Sequence, residues 1–402
     1  MDFKKNVLWA GLLRGVIRGL SFVKTIILAR LLLPTQFGVF GIATLVLGFL
    51  EMLTETGVNV VLIQEEKDYK KYLNTGFVVS ILRGLFIGLL IFVSAPFVSS
   101  FFNSPSSLNV LYLISLIPII RGFINPAVVS YQKNMEFDKE FKLKSVLTVV
   151  EVVATLLLAA AFKSETSLVW GMIFSAVVEV LFTQIYIKPR PKFDFNLKEL
   201  LNMMHKGKWI TGAKIFDYLF SHGDDIVVGK LLGSYSLGIY QQAYRITSLP
   251  IIEASETLQR VTFPHYTNLI SQNKNIKNVY FKSIVYTLLL VLPVGALIYL
   301  FPELIVKILL GDKWLEAIPV LQVLAIFCVV KTLANSVFPI LLARKRQDLV
   351  MYLTIVGIFG LGLSIYPLTS KYGLVGAGIS TIIGSLLMLP PAVYWTKKYI
   401  DD

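Results

Sequence analysis

Apolar runs of about 20 residues recur along almost the whole chain, and nothing else in the sequence limits the fold so strictly. Crossing a hydrocarbon layer of roughly 30 Å takes ~20 helical residues. Runs of that length fall near 6–33, 37–63, 73–101, 108–131, 143–162 and 167–187, then near 209–232, 237–263, 283–309, 318–342, 349–369 and 373–395. They are continuously apolar, whereas a barrel strand alternates over about ten residues. The expected spanning element is therefore the α-helix, which satisfies its own backbone in lipid. Composition agrees, since 55% of 402 residues are hydrophobic and only 16% are charged, against ~25% charged in soluble domains. The sequence predicts an all-α integral membrane protein with twelve transmembrane helices.

The placement of basic residues orients those helices. Lys and Arg cluster at 4–5, 67–71, 133–144, 188–208, 274–282, 344–346 and 397–398, all on one side if the N-terminus is cytoplasmic. The opposite loops hold Lys163, Lys313 and Lys371, with Lys307 near a helix end. This bias predicts a multi-pass membrane protein with both termini in the cytoplasm. Anionic headgroups answer the net charge of +13, so no nucleic-acid partner is expected. The single cysteine, Cys328, excludes an internal disulfide. The opening "MDFKKNVLWAGLLRG" has no small-residue cleavage site and is expected to stay as the first span.

Sliding the chain on itself by 200 residues pairs Trp9 with Trp209, Arg14 with Lys214, Arg30 with Lys230, Gly38 with Gly238 and Phe40 with Tyr240. Six spans per copy make both copies enter the membrane in the same direction. The expectation is two six-helix bundles related by a pseudo-twofold axis along the membrane normal. Residues 1–187 form the N-terminal bundle, 188–208 a cytoplasmic connector and 209–402 the C-terminal bundle. In the connector, Asn196 and Glu199 have capping-box-like spacing, and Leu197, Leu200, Leu201 and Met204 mark one face of an amphipathic helix.

Charges inside the spans are the chemical signal. Basic residues there are Arg14, Arg18, Lys24, Arg30, Arg83, Arg121, Lys214, Lys230, Arg245, Arg260 and Lys331, and acidic ones are Glu51, Glu55, Glu151, Glu179, Asp217, Asp224, Asp225, Glu253 and Glu256. Each costs about 2.5–3.5 kcal/mol at a lipid-facing helix centre. Arg30, Arg83 and Lys230 can snorkel, and Glu256 with Arg260 makes an i, i+4 pair. The first span, however, holds Arg14, Arg18 and Lys24 with no carboxylate of its own. In "GLLRGVIRG", Gly11, Gly15 and Gly19 form a small-residue ridge for a neighbouring helix. Arg14 and Arg18 lie about 100° around the helix from that ridge, toward a polar interior. With Lys214 at the position equivalent to Arg14, both bundles offer a cation to a cleft between them. Such a cleft suits an anionic passenger, and the planar fork of arginine suits phosphate. Lys214, Asp217, Ser221 and Asp224 share one face of the seventh span. They read either as a Lys214–Asp217 pair with loop-proximal aspartates or as a proton or sodium coupling site. Glu51 and Glu55 either join that role or neutralise Arg14 and Arg18.

The segment "LARLLLPTQFGVFGIATLVLGFLEMLTETGVNVVLIQ", Leu28 to Gln64, resembles the first-to-second span signature of bacterial polysaccharide flippases, with Arg30, Leu32, Pro34, Gly38 and Phe40 in the signature positions. "YQKNMEF", Tyr131 to Phe137, is similar to the loop after the fourth span in the O-antigen and exopolysaccharide (Wzx-type) branch. The resemblance is to the multidrug/oligosaccharidyl-lipid/polysaccharide (MOP) superfamily and implies alternating access. The implied cargo is an oligosaccharide repeat unit on an undecaprenyl-pyrophosphate-type carrier, moved from the cytoplasmic to the outer leaflet with a coupled H+ or Na+, and a polysaccharide polymerase is an implied partner. By similarity of position, the family's cationic cavity maps onto Arg14, Arg18, Lys24, Arg83, Arg121 and Lys214. The coupling candidates are Asp217, Asp224, Glu51 and Glu55.

Two other classes compete. A multidrug antiporter for organic cations favours an acidic or aromatic cavity, whereas basic residues outnumber acidic ones in these spans. A membrane glycosyltransferase or ligase places catalytic groups on sizeable loops, and the external loops here are short and without clustered His, Asp or Glu. No G-x-x-x-x-G-K-[ST] pattern is present. The expectation is a transporter and not an enzyme, with no catalytic residues, metal or cofactor.

Overall fold

The computed structural model describes the backbone of residues 3–54, 58, 62, 69–272 and 274–401, with side chains throughout these except at 3–10, 14, 69–71, 198, 201–217, 253, 254, 256, 257, 260, 261 and 401. Among the described residues every regular element is helical. The chain divides into two compact units, Met1–Ile215 and Phe216–Asp402.

The first unit contains α1 (Phe3–Leu31), α2 (Pro34–Leu53), α3 (Tyr69–Phe101), α4 (Ser107–Ile114), α5 (Leu116–Gly122), a 3-10 turn (Pro126–Val129), α6 (Ser130–Lys133), α7 (Phe137–Phe162) and α8 (Thr166–Tyr186). Helix α9 (Leu197–Ser271) begins in the first unit and continues in the second. The second unit adds α10 (Lys277–Leu300), α11 (Pro302–Leu309), a 3-10 turn (Asp312–Ala317), α12 (Ile318–Asn335), α13 (Phe338–Ala343) and α14 (Gln347–Asp401).

Among the described residues, 7 helical segments are long and apolar enough to cross a bilayer, or 8 if the pair Ser107–Gly122 and Pro126–Lys133, bent by 72°, is one span. Three features separate this from twelve apolar runs, the first being that α9 holds the runs near 209–232 and 237–263 in one charged helical segment that is not among these candidates. Helix α1 carries Arg14, Arg18, Lys24 and Arg30 along its length. Helix α14 is one helical segment interrupted by a single non-helical residue, Gly373, at φ 60° and ψ −137°.

The repeat is visible in the backbone. After α1 the chain turns at Leu33, extended at φ −91° and ψ 156°, into Pro34 at the first helical position. The corresponding residue 200 positions later is Gly233, which breaks α9 at φ 82° and ψ 178°. Proline presets φ for a helix start, and glycine alone takes the positive φ cheaply. Further along, the positive-φ residues Asn103, Met135 and Lys163 have counterparts in Gly311, Lys345 and Gly373. These are more than 200 residues apart, so the gap-free offset belongs only to the first two spans, and loop insertions accumulate later in the second copy.

Packing explains why the helices are apolar all round. In the first unit, Val39, Ala43 and Leu47 of α2, Ile87 and Ile91 of α3, Val110, Leu111 and Ile114 of α4, and Val169 and Ile173 of α8 form a buried cluster. The opposite face of α3 leaves Phe86, Leu89, Val93 and Phe97 at 57–74% exposure. That stripe is as apolar as the core, the pattern of a helix with lipid on its outer side. In the second unit a cluster joins Tyr266 and Tyr280 to Val337, Ile340, Leu353 and Met388.

One packing expectation is corrected. At Gly11, Gly15 and Gly19 an added Cβ would meet no heavy atom within 4 Å among the described residues, and all three are exposed. Within the first unit α1 instead packs against α7, and Thr25, Leu28 and Ala29 of α1 are buried. The close helix crossings lie elsewhere. A Cβ at Gly84 would stand 2.3 Å from the Pro118 carbonyl oxygen, and one at Gly122 would stand 2.9 Å from the Ser80 carbonyl oxygen.

Candidate functional site

The crossing of α3 and α5 at Gly84 and Gly122 positions two cations. Arg83 sits beside the first glycine and Arg121 beside the second, and both line a cavity of about 220 Å³ with Glu51, Ser80 and Pro118. The two arginines differ in how they are held. Arg83 Nη2 donates to the Glu51 backbone carbonyl at 2.7 Å, and its Nε donates to Thr54 Oγ1 at 3.1 Å. Thr54 is the C-cap of α2, so this guanidinium also answers the negative end of that helix. Arg121 Nη1 lies 3.8 Å from Glu51 Oε1. Its Nε is buried without a hydrogen-bond partner among the described residues. A buried donor left unmade costs about 1–3 kcal/mol, more for a charged group, and an anion in the cavity would remove that cost.

Of the residues expected to bind an anionic headgroup, the structure thus brings together Arg83 and Arg121, with Glu51. Glu51 faces Arg121, where neutralisation of Arg14 and Arg18 was the expected alternative. Lys24 lies elsewhere, its Nζ 2.5 Å from Glu151 Oε1 of α7, both side chains largely buried. That pair ties α1 to α7. Arg18 is half-buried on α1 and does not line the cavity. Glu55 and the side chains of Arg14, Lys214 and Asp217 lie outside the described residues, as do those of Glu256 and Arg260. In the connector, Glu199 Oε2 accepts from Thr75 Oγ1 at 2.7 Å, and Leu200 packs against the cluster of Val58, Leu62, Tyr72 and Ile187.

The remaining coupling candidate, Asp224, occupies the second unit. Its Oδ2 accepts from the Tyr240 hydroxyl at 2.7 Å, while Oδ1 is buried with no hydrogen-bond partner among the described residues. It lines a narrow cavity with Ser221, Tyr244, Lys331 and Thr381. Lys331 Nζ lies 5.2 Å from the ring centroid of Phe220 and 5.3 Å from that of Phe327, within cation–π range. The neighbouring Asp225 Oδ2 is 3.2 Å from His222 Nδ1.

Tyr240 and Lys331 were not among the expected site residues. Arg121 and Lys331 are separated by the same interval as Met135 and Lys345, and as Lys163 and Gly373. They are repeat equivalents, each placing a cation beside a cavity in its own unit. A self-comparison that allowed for insertions would have paired them; the fixed shift of 200 did not.

Residues 27–319 match the family described as "Polysaccharide biosynthesis protein". Relatives include the teichuronic acid biosynthesis protein TuaB of Bacillus subtilis, 24% identical over 310 residues, 76% of this chain and 63% of that protein. The matched stretch therefore spans less than two thirds of TuaB. The lipopolysaccharide biosynthesis protein WzxC of Escherichia coli is 21% identical over 343 residues, 85% of this chain and 70% of its own. Among solved structures, the lipid II flippase MurJ in an inward closed conformation superposes with a TM-score of 0.77 over 97% of this chain and 87% of that one, at 13% identity. At that identity the likeness is one of fold.

Proposed function

Because the chain belongs to the polysaccharide biosynthesis protein family, we propose that it is a flippase for polyprenyl-pyrophosphate-linked oligosaccharide repeat units, moving them from the cytoplasmic to the outer leaflet. In this reading twelve spans form two six-helix bundles of the MOP type, with both termini in the cytoplasm of a bacterial inner membrane. The bundles alternate in the side they open to, an ion gradient drives the change, and the chain performs no bond-making chemistry.

The observation that carries the reading is Arg121: a guanidinium among apolar helices, with a buried Nε that has no partner among the described residues, facing a cavity large enough for a phosphate group. Arg83 supplies a second cation on the same wall. Pyrophosphate takes the place that water or a misaligned carboxylate otherwise fills, and charge-assisted hydrogen bonds to guanidinium are about twice as strong as neutral ones. The polyprenyl tail stays in lipid. In the second unit Asp224, with one oxygen held by Tyr240 and the other without a partner among the described residues, is the coupling group.

The test is translocation of a lipid-linked oligosaccharide in vesicles reconstituted with the protein, with and without imposed proton or sodium gradients. Translocation by the wild type and its loss in Arg121→Ala support the reading. Uptake of a cationic dye without lipid translocation would replace it with cation antiport.

A further inference from the structure

Glu51 stands where the fold gives a carboxylate little support. It lies in the last turn of α2, just before the C-cap Thr54, and the negative end of a helix disfavours a further negative charge. Its Oε1 faces Arg121 Nη1 at 3.8 Å, well beyond the roughly 2.7–2.9 Å of a charge-assisted hydrogen bond. The ion pairs that α7 makes in the same unit are closed: Lys24 Nζ is 2.5 Å from Glu151 Oε1, and Lys144 Nζ is 2.7 Å from Glu179 Oε1. Glu51 is anchored at one end only. Its backbone carbonyl accepts from Arg83 Nη2 at 2.7 Å, while its carboxylate accepts no hydrogen bond among the described residues.

Arg121 offers more than Glu51 takes. Its Nε is buried without a partner among the described residues, and its Nη1 meets Glu51 only across the long gap. Both side chains are half-buried and line the cavity of about 220 Å³. A guanidinium holds an oxyanion best when two parallel N–H groups meet two oxygens. Glu51 brings charge near that fork without closing the bidentate contact. An anion entering the cavity therefore finds a cation whose partner is loosely held, yet it has to move a negative charge aside to reach it. Arg83 takes no part in this competition, because its Nη2 and Nε already donate to a carbonyl and a hydroxyl.

We propose that Glu51 is a displaceable counter-ion: it competes with an entering phosphate or pyrophosphate group for Arg121, limits how tightly the site holds that group, and returns to Arg121 when the group leaves. The proposal rests on the reading of the Arg83–Arg121 cavity as the anion site, and it assigns to that site the residue that sets its affinity. Glu51 acts through Arg121 and is a positioning residue. A carrier has to release what it binds, and a carboxylate poised beside the guanidinium supplies a replacement partner at that moment.

The experiment places the full chain in phosphatidylcholine nanodiscs and titrates inorganic pyrophosphate. E51Q is expected to bind it about tenfold more tightly than wild type, and E51D, which keeps the charge, to stay within about threefold. In E51Q/R121Q the gain is expected to vanish, a double-mutant cycle that separates competition for Arg121 from a general change in potential. In vesicles supplied with a lipid-linked oligosaccharide, E51Q is expected to lower both the half-saturating concentration and the maximal rate, a split that loss of folded protein does not produce. Should E51Q unfold, E51A carries the same expectations. Unchanged or weaker pyrophosphate binding in the neutral variants overturns the proposal. So does a gain that survives in E51Q/R121Q, or an undiminished maximal rate in a variant that binds more tightly. Tighter, Arg121-dependent pyrophosphate binding in E51Q, with no lipid translocation by wild type, upholds the proposal while counting against the flippase reading.

Discussion

At the scale of single residues, Arg83 and Arg121 separate two duties that a list of intramembrane charges merges. Arg83 is committed to the end of α2, so Arg83→Ala should lower both stability and transport, with a loss of about 1–3 kcal/mol in detergent unfolding from its charged hydrogen bonds. Among the described residues Arg121 holds only a long contact to Glu51. Arg121→Ala should therefore leave the unfolding midpoint near wild type while abolishing translocation, and a variant that unfolds early would reassign Arg121 to structure. Lys24 tests the opposite case. Lys24→Met strands Glu151 of α7 against α1, and the expected result is a lower unfolding midpoint, read by the same melt. Sequence reasoning named these residues but could not name their partners. Lys24 and Glu151 are 127 positions apart, and only the folded packing of α1 on α7 brings them together.

Among elements, glycine at helix crossings is the decisive feature, and the sequence pointed to the wrong ones. Gly11, Gly15 and Gly19 share the periodic spacing that draws the eye, yet Gly84, Gly122 and Gly376 are among those whose missing side chains let backbones touch. A Cβ at Gly376 would lie 1.9 Å from the Leu368 carbonyl oxygen. Gly84→Ala is expected to force α3 off α5 at a cost of about 1–3 kcal/mol. The same shift should move Arg83 relative to Arg121, so transport should fall further than stability alone explains. Gly15→Ala, in open space, should change the unfolding midpoint little. Helix existence was legible because lipid demands long apolar runs. Crossing points were not, because a glycine in an apolar run looks the same whether a neighbour presses on it or not. By contrast, the bend between α5 and α6 was legible, since Pro126 lies inside the run 108–131 and a proline within a span can kink it.

Across the whole molecule, two units that repeat a backbone plan carry different chemistry at equivalent places. Arg121 faces a carboxylate in one, while Lys331 lies among aromatic rings near Asp224 in the other. If the second unit senses the ion and the first holds the anion, Asp224→Asn should leave gradient-free lipid exchange measurable while removing its acceleration by an imposed gradient. Equal response of variant and wild type to the gradient would move the coupling elsewhere. Duplication was readable from matched Trp, Gly and basic positions near the start. The asymmetry was not, since it depends on insertions that shift the register in the second copy and on which neighbour each cation finds.

The length of α3 carries a consequence for the surrounding bilayer. Its 33 residues make a rod of roughly 50 Å at 1.5 Å per residue, well beyond a hydrocarbon thickness of about 30 Å. Such a rod must lean, or stand with its ends among headgroups, and either posture changes when acyl chains are shortened or lengthened. If the bundles alternate as proposed, membrane thickness becomes a mechanical input to that alternation that no substrate or ion has to deliver.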